Sequence, residues 1–251
     1  MYICQQNKEM SKKVTPYKES ELGKKEQVRQ MFDTISGDYD GLNRVISFGI
    51  DLKWRKRMVK LLADKKPKTL LDIATGTGDL AIAMMGTGAE KIIGLDISPG
   101  MLEVGKTKIK EKNLQDSIEM IVGDSENLPF DDQSFDAVTV GFGVRNFEDL
   151  EKGLQEIHRV LKPGGTLMIL ETSVPTKTPF KQGYNIYCKY ILPTIGKLFS
   201  KDRSAYAYLS ESASVFPHGE AFNNILAKIG FIGVENKPQT FGAASIYVAT
   251  K

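Results

Sequence analysis

Two carboxylates flank a glycine-rich turn in the run Asp72-Ile-Ala-Thr-Gly-Thr-Gly-Asp79, and a third, Asp96, follows Gly76 by twenty residues. The apolar stretch Thr69, Leu70, Leu71 precedes this run, and the helical pattern Leu80, Ala81, Ala83, Met84 follows it. That order predicts a strand, a tight turn and a helix. Gly76 and Gly78 let the backbone turn sharply and approach a ligand, because no Cβ intervenes. The helix start beyond them offers free N–H groups to an anion. Asp96 closes the next apolar stretch, Lys91-Ile-Ile-Gly-Leu-Asp, where a carboxylate can accept from both hydroxyls of a ribose. The chemistry is that of a nucleoside-binding half of an α/β domain.

Gly76, Gly78 and Ala81 also fit the pattern of dinucleotide enzymes. The flanking acids separate the two readings. A pyrophosphate in the turn would meet Asp72 and Asp79, each like-charge contact costing on the order of 4 kcal/mol at ~4 Å and an effective dielectric of ~20. S-adenosylmethionine has no phosphate; it carries a sulfonium, an ammonium and one carboxylate. The helix start suits the carboxylate and the aspartates suit the cations. The plainer alternative makes Asp79 a helix cap and Asp72 a solvated strand end.

The elements that must position these groups are legible as periodicity. Val28, Met31, Phe32 and Ile35 fall at helical spacing, as do Trp54, Met58, Leu61 and Leu62, with Leu42, Val45, Ile46 and Phe48 between them. Strands are expected at 69–74, 91–96, 118–122, 135–140 and 166–170, and two more at 231–236 and 245–249. A helix is expected from Pro99 with Ser98 as its N-cap. Another runs from Leu150 to the stop at Pro163-Gly164-Gly165, and a last one spans 221–229. Alternating strands and helices predict a doubly wound, mostly parallel α/β sheet. The expected organisation is a tail (1–20), a helical cap (21–66), a cofactor-binding core (67–178), an aromatic helical insertion (179–213) on the ligand side of the sheet, and a closing helix and strand pair (214–251).

With 251 residues, 41% hydrophobic and 26% charged, the chain has enough apolar surface for one large domain. A net charge of +3 lends no support to a nucleic-acid groove. Cys4 and Cys188 are the two cysteines, and Cys4 lies in a polar tail, which speaks for a reducing compartment. No apolar run approaches the ~18 residues that span a bilayer. The N-terminus lacks the apolar core of a signal peptide. A cytoplasmic location is expected.

The longer motifs are more specific. They are Phe32-Asp-Thr-Ile-Ser-Gly-Asp-Tyr-Asp40 with Leu42-Asn43, Ser47-Phe-Gly-Ile50, Trp54-Arg-Lys56, and Asp124-Ser-Glu-Asn-Leu-Pro-Phe130. They continue with Gly141-Phe-Gly-Val-Arg-Asn146, Arg159-Val-Leu-Lys-Pro-Gly-Gly165 and Tyr206-Ala-Tyr-Leu-Ser-Glu-Ser212. Over residues 21–251 the chain resembles the class I S-adenosylmethionine-dependent methyltransferases, and within them the C-methyltransferases of ubiquinone and menaquinone biosynthesis. It departs from them in Thr75, where a glycine is common, and in Asp124-Ser125, where Asn-Ala is common. The first departure keeps the turn glycines. In the second, an aspartate can still accept from an adenine amine.

The resemblance implies a Rossmann-like fold with a seven-stranded sheet, a helical cap and an insertion before the last two strands. It implies S-adenosylmethionine held by Thr77, Asp96, Asp124, Ser125 and Gly141, beside Asp72, Gly76 and Gly78, and no metal. It implies transfer to a ring carbon of a demethylated prenyl quinol, most readily demethylmenaquinol. Arg145 would stabilise the developing quinolate, Asn146 would hold the other ring oxygen, and Tyr39 with Asp40 would cover the methyl donor. His218 is a base by chemistry alone, and His158 reads as a packing residue. In the insertion, Phe180, Tyr184, Tyr187, Ile191, Ile195, Leu198 and Phe199 interleave with Lys181, Lys189, Lys197, Lys201 and Arg203. They form either a helix pair on the sheet edge or a lid for an isoprenoid tail that leans on anionic lipid. The expected partners are a prenyl quinol, the inner face of the membrane as a peripheral contact, and a second copy in a homodimer, with no nucleic acid. Another small apolar acceptor, or a non-catalytic cofactor-binding subunit, stays open.

Overall fold

The computed structural model describes residues 14–191 and 202–251. The expectations for Cys4 and the start of the tail, and for Ile195, Lys197, Leu198, Phe199 and Lys201, lie outside the described residues, as do the side chains of Lys189, Arg203 and Tyr206. Three helices open the chain: α1 (Lys24–Ile35), α2 (Tyr39–Ser47) and α3 (Asp51–Ala63). The core alternates β1 (Thr69–Ile73), α4 (Asp79–Met84), β2 (Lys91–Asp96), α5 (Pro99–Glu111), β3 (Ile118–Val122), β4 (Phe135–Gly141), α6 (Leu150–Val160) and β5 (Leu161–Thr172). Helix α7 (Phe180–Ile186) runs into a wider turn of π type (Tyr187–Ile191). Helices α8 (Arg203–Val215) and α9 (Glu220–Ile229) then lead to β6 (Ile232–Gln239) and β7 (Ala244–Thr250).

The seven strands lie in the order β3-β2-β1-β4-β5-β7-β6. The first five are parallel, while β7 runs antiparallel to both β5 and β6. Successive side chains of a strand point to opposite faces, and Leu70 and Leu71 divide accordingly. Leu71, Val138 and Ile169 pack with Leu154 of α6 and Phe222 of α9 on one face. Leu70, Ala137 and Met168 pack with Met58 of α3, Met84 of α4 and Leu102 of α5 on the other. A third cluster joins Val28 and Met31 of α1 to Met101 of α5 and Tyr208 of α8. The chain leaves β1 toward one side of the sheet and β4 toward the other, which opens a crevice at their carboxyl ends.

Two boundaries differ from the sequence-based expectation. Strand β5 begins at Leu161 rather than Thr166. Leu161 pairs with Phe135, the next pairing is Thr166 with Ala137, and Lys162–Gly165 bulge between them. Gly164 supplies a φ of 77° there, and the bulge is tied to the chain end by Gly164 N–H to the Lys251 carbonyl and Lys251 N–H to the Gly165 carbonyl. Strand β6 runs through Pro238 to Gln239 instead of stopping at Asn236. It is an edge strand, where the missing N–H of a proline costs no ladder bond.

Helix α5 must pass close behind the glycine turn. Its N-cap is Ser98, whose Oγ accepts from Met101 N–H at 3.2 Å. Gly105 is where the approach is tightest. A Cβ there would stand 2.4 Å from Met120 Cε and 3.2 Å from the Thr77 backbone carbon. The methionine can swing away but the turn backbone cannot. Gly105→Ala is therefore expected to lower stability by about 1–3 kcal/mol despite alanine's better helix propensity, read as a fall in the urea midpoint with unchanged slope.

Candidate active site

Two adjoining hollows open at the crevice. The larger, about 660 Å³, is lined by Asp96, Asp124 and Ser125 on a polar side and by Val28, Phe32 and Met101 on an apolar side. The smaller, about 400 Å³, gathers Asp40, Arg55, Asp72, Thr77 and Asp79. Tyr39, Ala74, Gly76, Gly141 and Phe142 line both. The site thus has a half with the polarity of a nucleoside and a half rich in carboxylates. Gly76 has a φ of 57°, and a Cβ built on it would meet nothing within 4 Å, so the backbone there is bare toward open space. Ala74 and Phe142, just past β1 and β4, hold left-handed φ values of 52° and 59°. Such conformations cost of order 1–3 kcal/mol and concentrate at functional sites. Gly78, at a φ of 77°, is the N-cap of α4.

Asp72 is fully buried. Thr75 Oγ donates to its Oδ2 and Thr139 Oγ to its Oδ1, each at 2.6 Å. Burial pushes its carboxyl up to about 6, and the two hydroxyls only partly oppose this. Asp96 accepts from Gly76 N–H at 2.7 Å and Ser98 N–H at 2.9 Å. Burial raises it to about 6 as well, against those backbone bonds. The plainer reading of Asp72 as a solvated strand end does not hold.

The other turn acid is compensated from within the chain. Asp79 meets Lys108 of α5, Arg44 of α2 at 2.8 Å and Arg55 of α3 at 3.7 Å. Burial works upward on its carboxyl, but these cations win and hold it below the usual range. Lys108 also reaches Asp40 at 2.7 Å, and Thr77 Oγ donates to Asp40 at 2.6 Å. The cap and the glycine turn are one hydrogen-bonded unit here. At the other end of the cavity, Lys25 of α1 donates to Asp124 Oδ2 at 2.7 Å and pairs with the buried Glu126 at 3.1 Å. Asp33 of α1 accepts from Ser98 Oγ at 2.6 Å and Gly100 N–H at 2.9 Å.

Beyond β4, Arg145 and Asn146 occupy a short turn beneath α8. Arg145 Nη1 donates to the Phe142 carbonyl at 2.8 Å and to Glu171 at 2.6 Å. Burial pulls the guanidinium down, but the carboxylate of Glu171 outweighs it and pushes the group up. Asn146 lines the larger hollow and accepts from Tyr208 Oη at 3.1 Å. Tyr39 packs edge-on to Phe32 at 5.8 Å, and burial raises its phenol. His218 lines neither hollow; it stands after α8 with Nδ1 3.4 Å from the Phe216 carbonyl. His158 packs edge-on against Phe231 at 5.0 Å.

The structure brings Tyr39, Asp72, Gly76, Thr77, Asp96, Asp124, Ser125, Gly141 and Asn146 to the hollows, whereas Arg145, expected to reach the acceptor, lines neither and is joined to them through the Phe142 carbonyl. It adds Lys25, Arg55, Lys108, Glu171 and Tyr208, to which sequence reasoning gave no role. Glu171 had a visible signal: it is an acid closing the apolar run of a buried strand.

The model of the ubiE/COQ5 methyltransferase family matches residues 20–251. The chain belongs to that family. It is 48% identical over 241 residues to a demethylmenaquinone methyltransferase of Bacteroides fragilis, covering 95% of this chain and 98% of the relative. It is 45% identical to one of Chlorobaculum tepidum, covering 89% and 92%. Membership of the ubiE/COQ5 family makes it a methyltransferase. Solved structures show how widely the fold is shared. A possible histamine N-methyltransferase of Thermotoga maritima matches with a TM-score of 0.59 at 19% identity, covering 89% of this chain and 99% of that one. The cyclase SpnF matches at 0.55 and 19%, covering 92% and 97%. The sheet is therefore not what singles out methyl transfer.

The raised carboxyl of Asp72 has a consequence for stability. The unfolded chain ionises it near the ordinary 3.8, while the folded protein keeps its proton until about 6. The stability it contributes is complete below the lower value and lost as pH rises through the upper one. Asp72→Asn is thus expected to gain on the natural chain between about pH 4 and about pH 7.5, measured as the change with pH in the difference between their urea midpoints.

Proposed function

We propose that the chain transfers the methyl group of S-adenosylmethionine to a ring carbon of demethylmenaquinol, giving menaquinol. The family relationship to demethylmenaquinone methyltransferases at 41–48% identity over nearly the whole chain carries this reading. The two-part hollow fits the methyl donor: Asp96 suits the ribose hydroxyls, Asp124 and Ser125 the adenine edge, and Asp72 with Thr77 the cationic amino-acid end. The bare backbone at Gly76 leaves the space such a group needs. When bound, S-adenosylmethionine supplies an electrophilic methyl on a leaving group that departs as a neutral thioether and needs no acid.

The protein's work is then on the acceptor. A quinol ring carbon becomes strongly nucleophilic when a ring hydroxyl loses its proton, and a free phenol does so only near pH ~10. Arg145 is compensated by Glu171, so its help is a charge-assisted hydrogen bond of roughly 1.5–3 kcal/mol rather than the field of a bare charge. That amounts to about one to two units of acidity in the acceptor. Asn146, held by Tyr208, orients the second oxygen. Tyr39, Phe32 and the cap ion pairs keep water from the reacting centre.

A run of rings supports an apolar tail on this acceptor. Phe142 at the hollow lies 6.1 Å from Trp54, whose Nε1 donates to Thr240 at 2.9 Å. The next residue, Phe241, stacks on Phe180 at 3.8 Å. The outer rings are open to solvent, Phe48 at 70% and Phe241 at 69%, with Ile186 and Tyr190 also exposed. Lys53, Lys177 and Lys181 are exposed beside them in sequence. This is the composition of a surface that rests on anionic lipid while a prenyl chain passes inward.

Arg145→Ala is expected to lower quinol turnover by ~10–10²-fold with S-adenosylmethionine affinity within about threefold. Binding is read by calorimetry and turnover by mass spectrometry of the methylated quinol. Unchanged turnover would remove Arg145 from the mechanism. A strain lacking the protein that accumulates no quinone short of one methyl would overturn the acceptor. The double variant Phe48→Ser, Phe241→Ser should sediment less with anionic liposomes, while turnover of a short-chain soluble quinol is retained. Equal sedimentation removes the lipid contact.

A further inference from the structure

Four buried side-chain polar atoms among the described residues have no hydrogen-bond partner, and two of them, Arg145 Nε and Glu171 Oε2, belong to one ion pair. Glu171 is fully buried and the Arg145 side chain is 8% exposed. Taking two charges out of water is costly, and most buried polar atoms of folded proteins have a partner. Glu171 Oε1, by contrast, is crowded. It accepts Arg145 Nη1 at 2.6 Å, Thr172 N–H at 2.7 Å and Thr172 Oγ at 3.1 Å. The carboxylate is fixed by its own strand end and in turn fixes one nitrogen of the guanidinium. The same nitrogen holds the carbonyl of Phe142, the left-handed residue that lines both hollows. One atom of Glu171 thereby sets Arg145 and Phe142 together, and the Nε edge of the guanidinium is left without a partner.

We propose that Glu171 is the positioning residue of the acceptor site: through Nη1 it anchors the Arg145 guanidinium and, on the same nitrogen, the carbonyl of Phe142, so that the wall Phe142 forms in both hollows and the charge buried behind it keep their place against the quinol. The proposal rests on the quinol-methylating reading of Arg145 given above. No proton or electron passes to Glu171 in it. The phenols that face the pair are Tyr39 of α2, Tyr184 of α7, Tyr208 of α8 and Tyr247 of β7, and Lys24 of α1 donates to the Arg145 carbonyl at 3.0 Å. All four are phenols raised by burial, so none of them titrates against the pair near neutral pH.

Glu171→Gln and Glu171→Ala separate positioning from plain charge. Glutamine keeps an acceptor oxygen for Nη1 and removes the charge; alanine removes both. Positioning predicts that Glu171→Gln keeps kcat for a short-chain soluble quinol within ~3-fold while Glu171→Ala loses ~10–10²-fold. S-adenosylmethionine affinity should stay within about threefold in both. The glutamine variant, with Arg145 no longer compensated, should also shift the rise of kcat with pH to lower pH. Equal losses in the two variants, or no loss in either, overturn the proposal. Should the alanine variant fail to fold, the ¹⁵Nε resonance of Arg145 in the natural protein carries the test. It is expected to move when the quinol is added to the protein already saturated with S-adenosylhomocysteine, and an unmoved resonance overturns the proposal. Failure of the underlying reading is distinct, because Arg145→Ala would then leave turnover intact.

Discussion

A buried carboxylate at the centre of the sheet organises this protein. Asp72 lies near the carboxyl end of β1, paired with Thr139 of β4, and Thr139 donates to one of its oxygens while Thr75 of the glycine turn donates to the other. One side chain thus ties the two strands of the crevice to the turn that follows the first of them. Hydroxyls are modest partners for an ionised carboxyl, and burial accordingly drives its proton affinity up. A site whose ligand carries positive charge gains from such a group, because binding a cation relieves what folding left unfavourable. A dinucleotide site gains nothing from it. The preference for a sulfonium cofactor is in this sense built into the join between two strands rather than added at the surface.

The second turn acid behaves otherwise. Asp79 flanks the same glycines on their other side, yet Lys108, Arg44 and Arg55 surround it. Its role in the fold is to fasten α2 and α3 to the turn, with Asp40 and Thr77 completing the unit. The opposite end of the cavity is fastened by Lys25 and Asp33. The cap is therefore held by ion pairs and charge-assisted bonds at both ends of the two hollows, with the apolar cluster of Val28, Met31 and Tyr208 packed beneath it.

What the sequence made legible follows the range of the interactions. Strands β2 and β3, the Ser98 cap and the glycine turn are set by neighbours in sequence, and periodicity or turn chemistry finds them. Asp96 is found because its distance from Gly76 is fixed by one strand and one short helix. The start of β5 was not legible, since Leu161 joins the sheet only through its pairing with Phe135 across a four-residue bulge. The partners of Asp79 and Asp124 come from tens of residues away and carry no local signature. The equal treatment of Asp72 and Asp79 in sequence fails for that reason: the difference between them lies wholly in what distant lysines and arginines reach. His218 attracted notice as one of few histidines, which is a statement about chemistry and not about place.

The fold itself leaves the acceptor open, as the likeness to a cyclase at 19% identity makes plain. Acceptor choice must come from segments outside the shared sheet, and here four of them converge on one edge: the α2–α3 turn with Phe48 and the first turn of α3 with Trp54, the turn after β4 with Phe142 to Asn146, the insertion with Phe180 and Tyr187, and the β6–β7 turn with Thr240 and Phe241. Direct contacts link them. Tyr187 Oη donates to the Ile46 carbonyl at 2.6 Å, Trp54 to Thr240, and Phe180 stacks on Phe241. Three of the segments contribute a ring toward the outside, and the turn after β4 contributes Phe142, which lines both hollows. An acceptor that is polar at one end and long and apolar at the other matches this gradient, whereas a compact acceptor would leave the outer rings exposed with no purpose in folding. Two of those outer positions, Phe48 and Phe241, hold left-handed backbone with aromatic side chains in solvent. Folding alone favours glycine at such positions. Rings kept there at a conformational cost are best accounted for by something apolar that covers them during turnover.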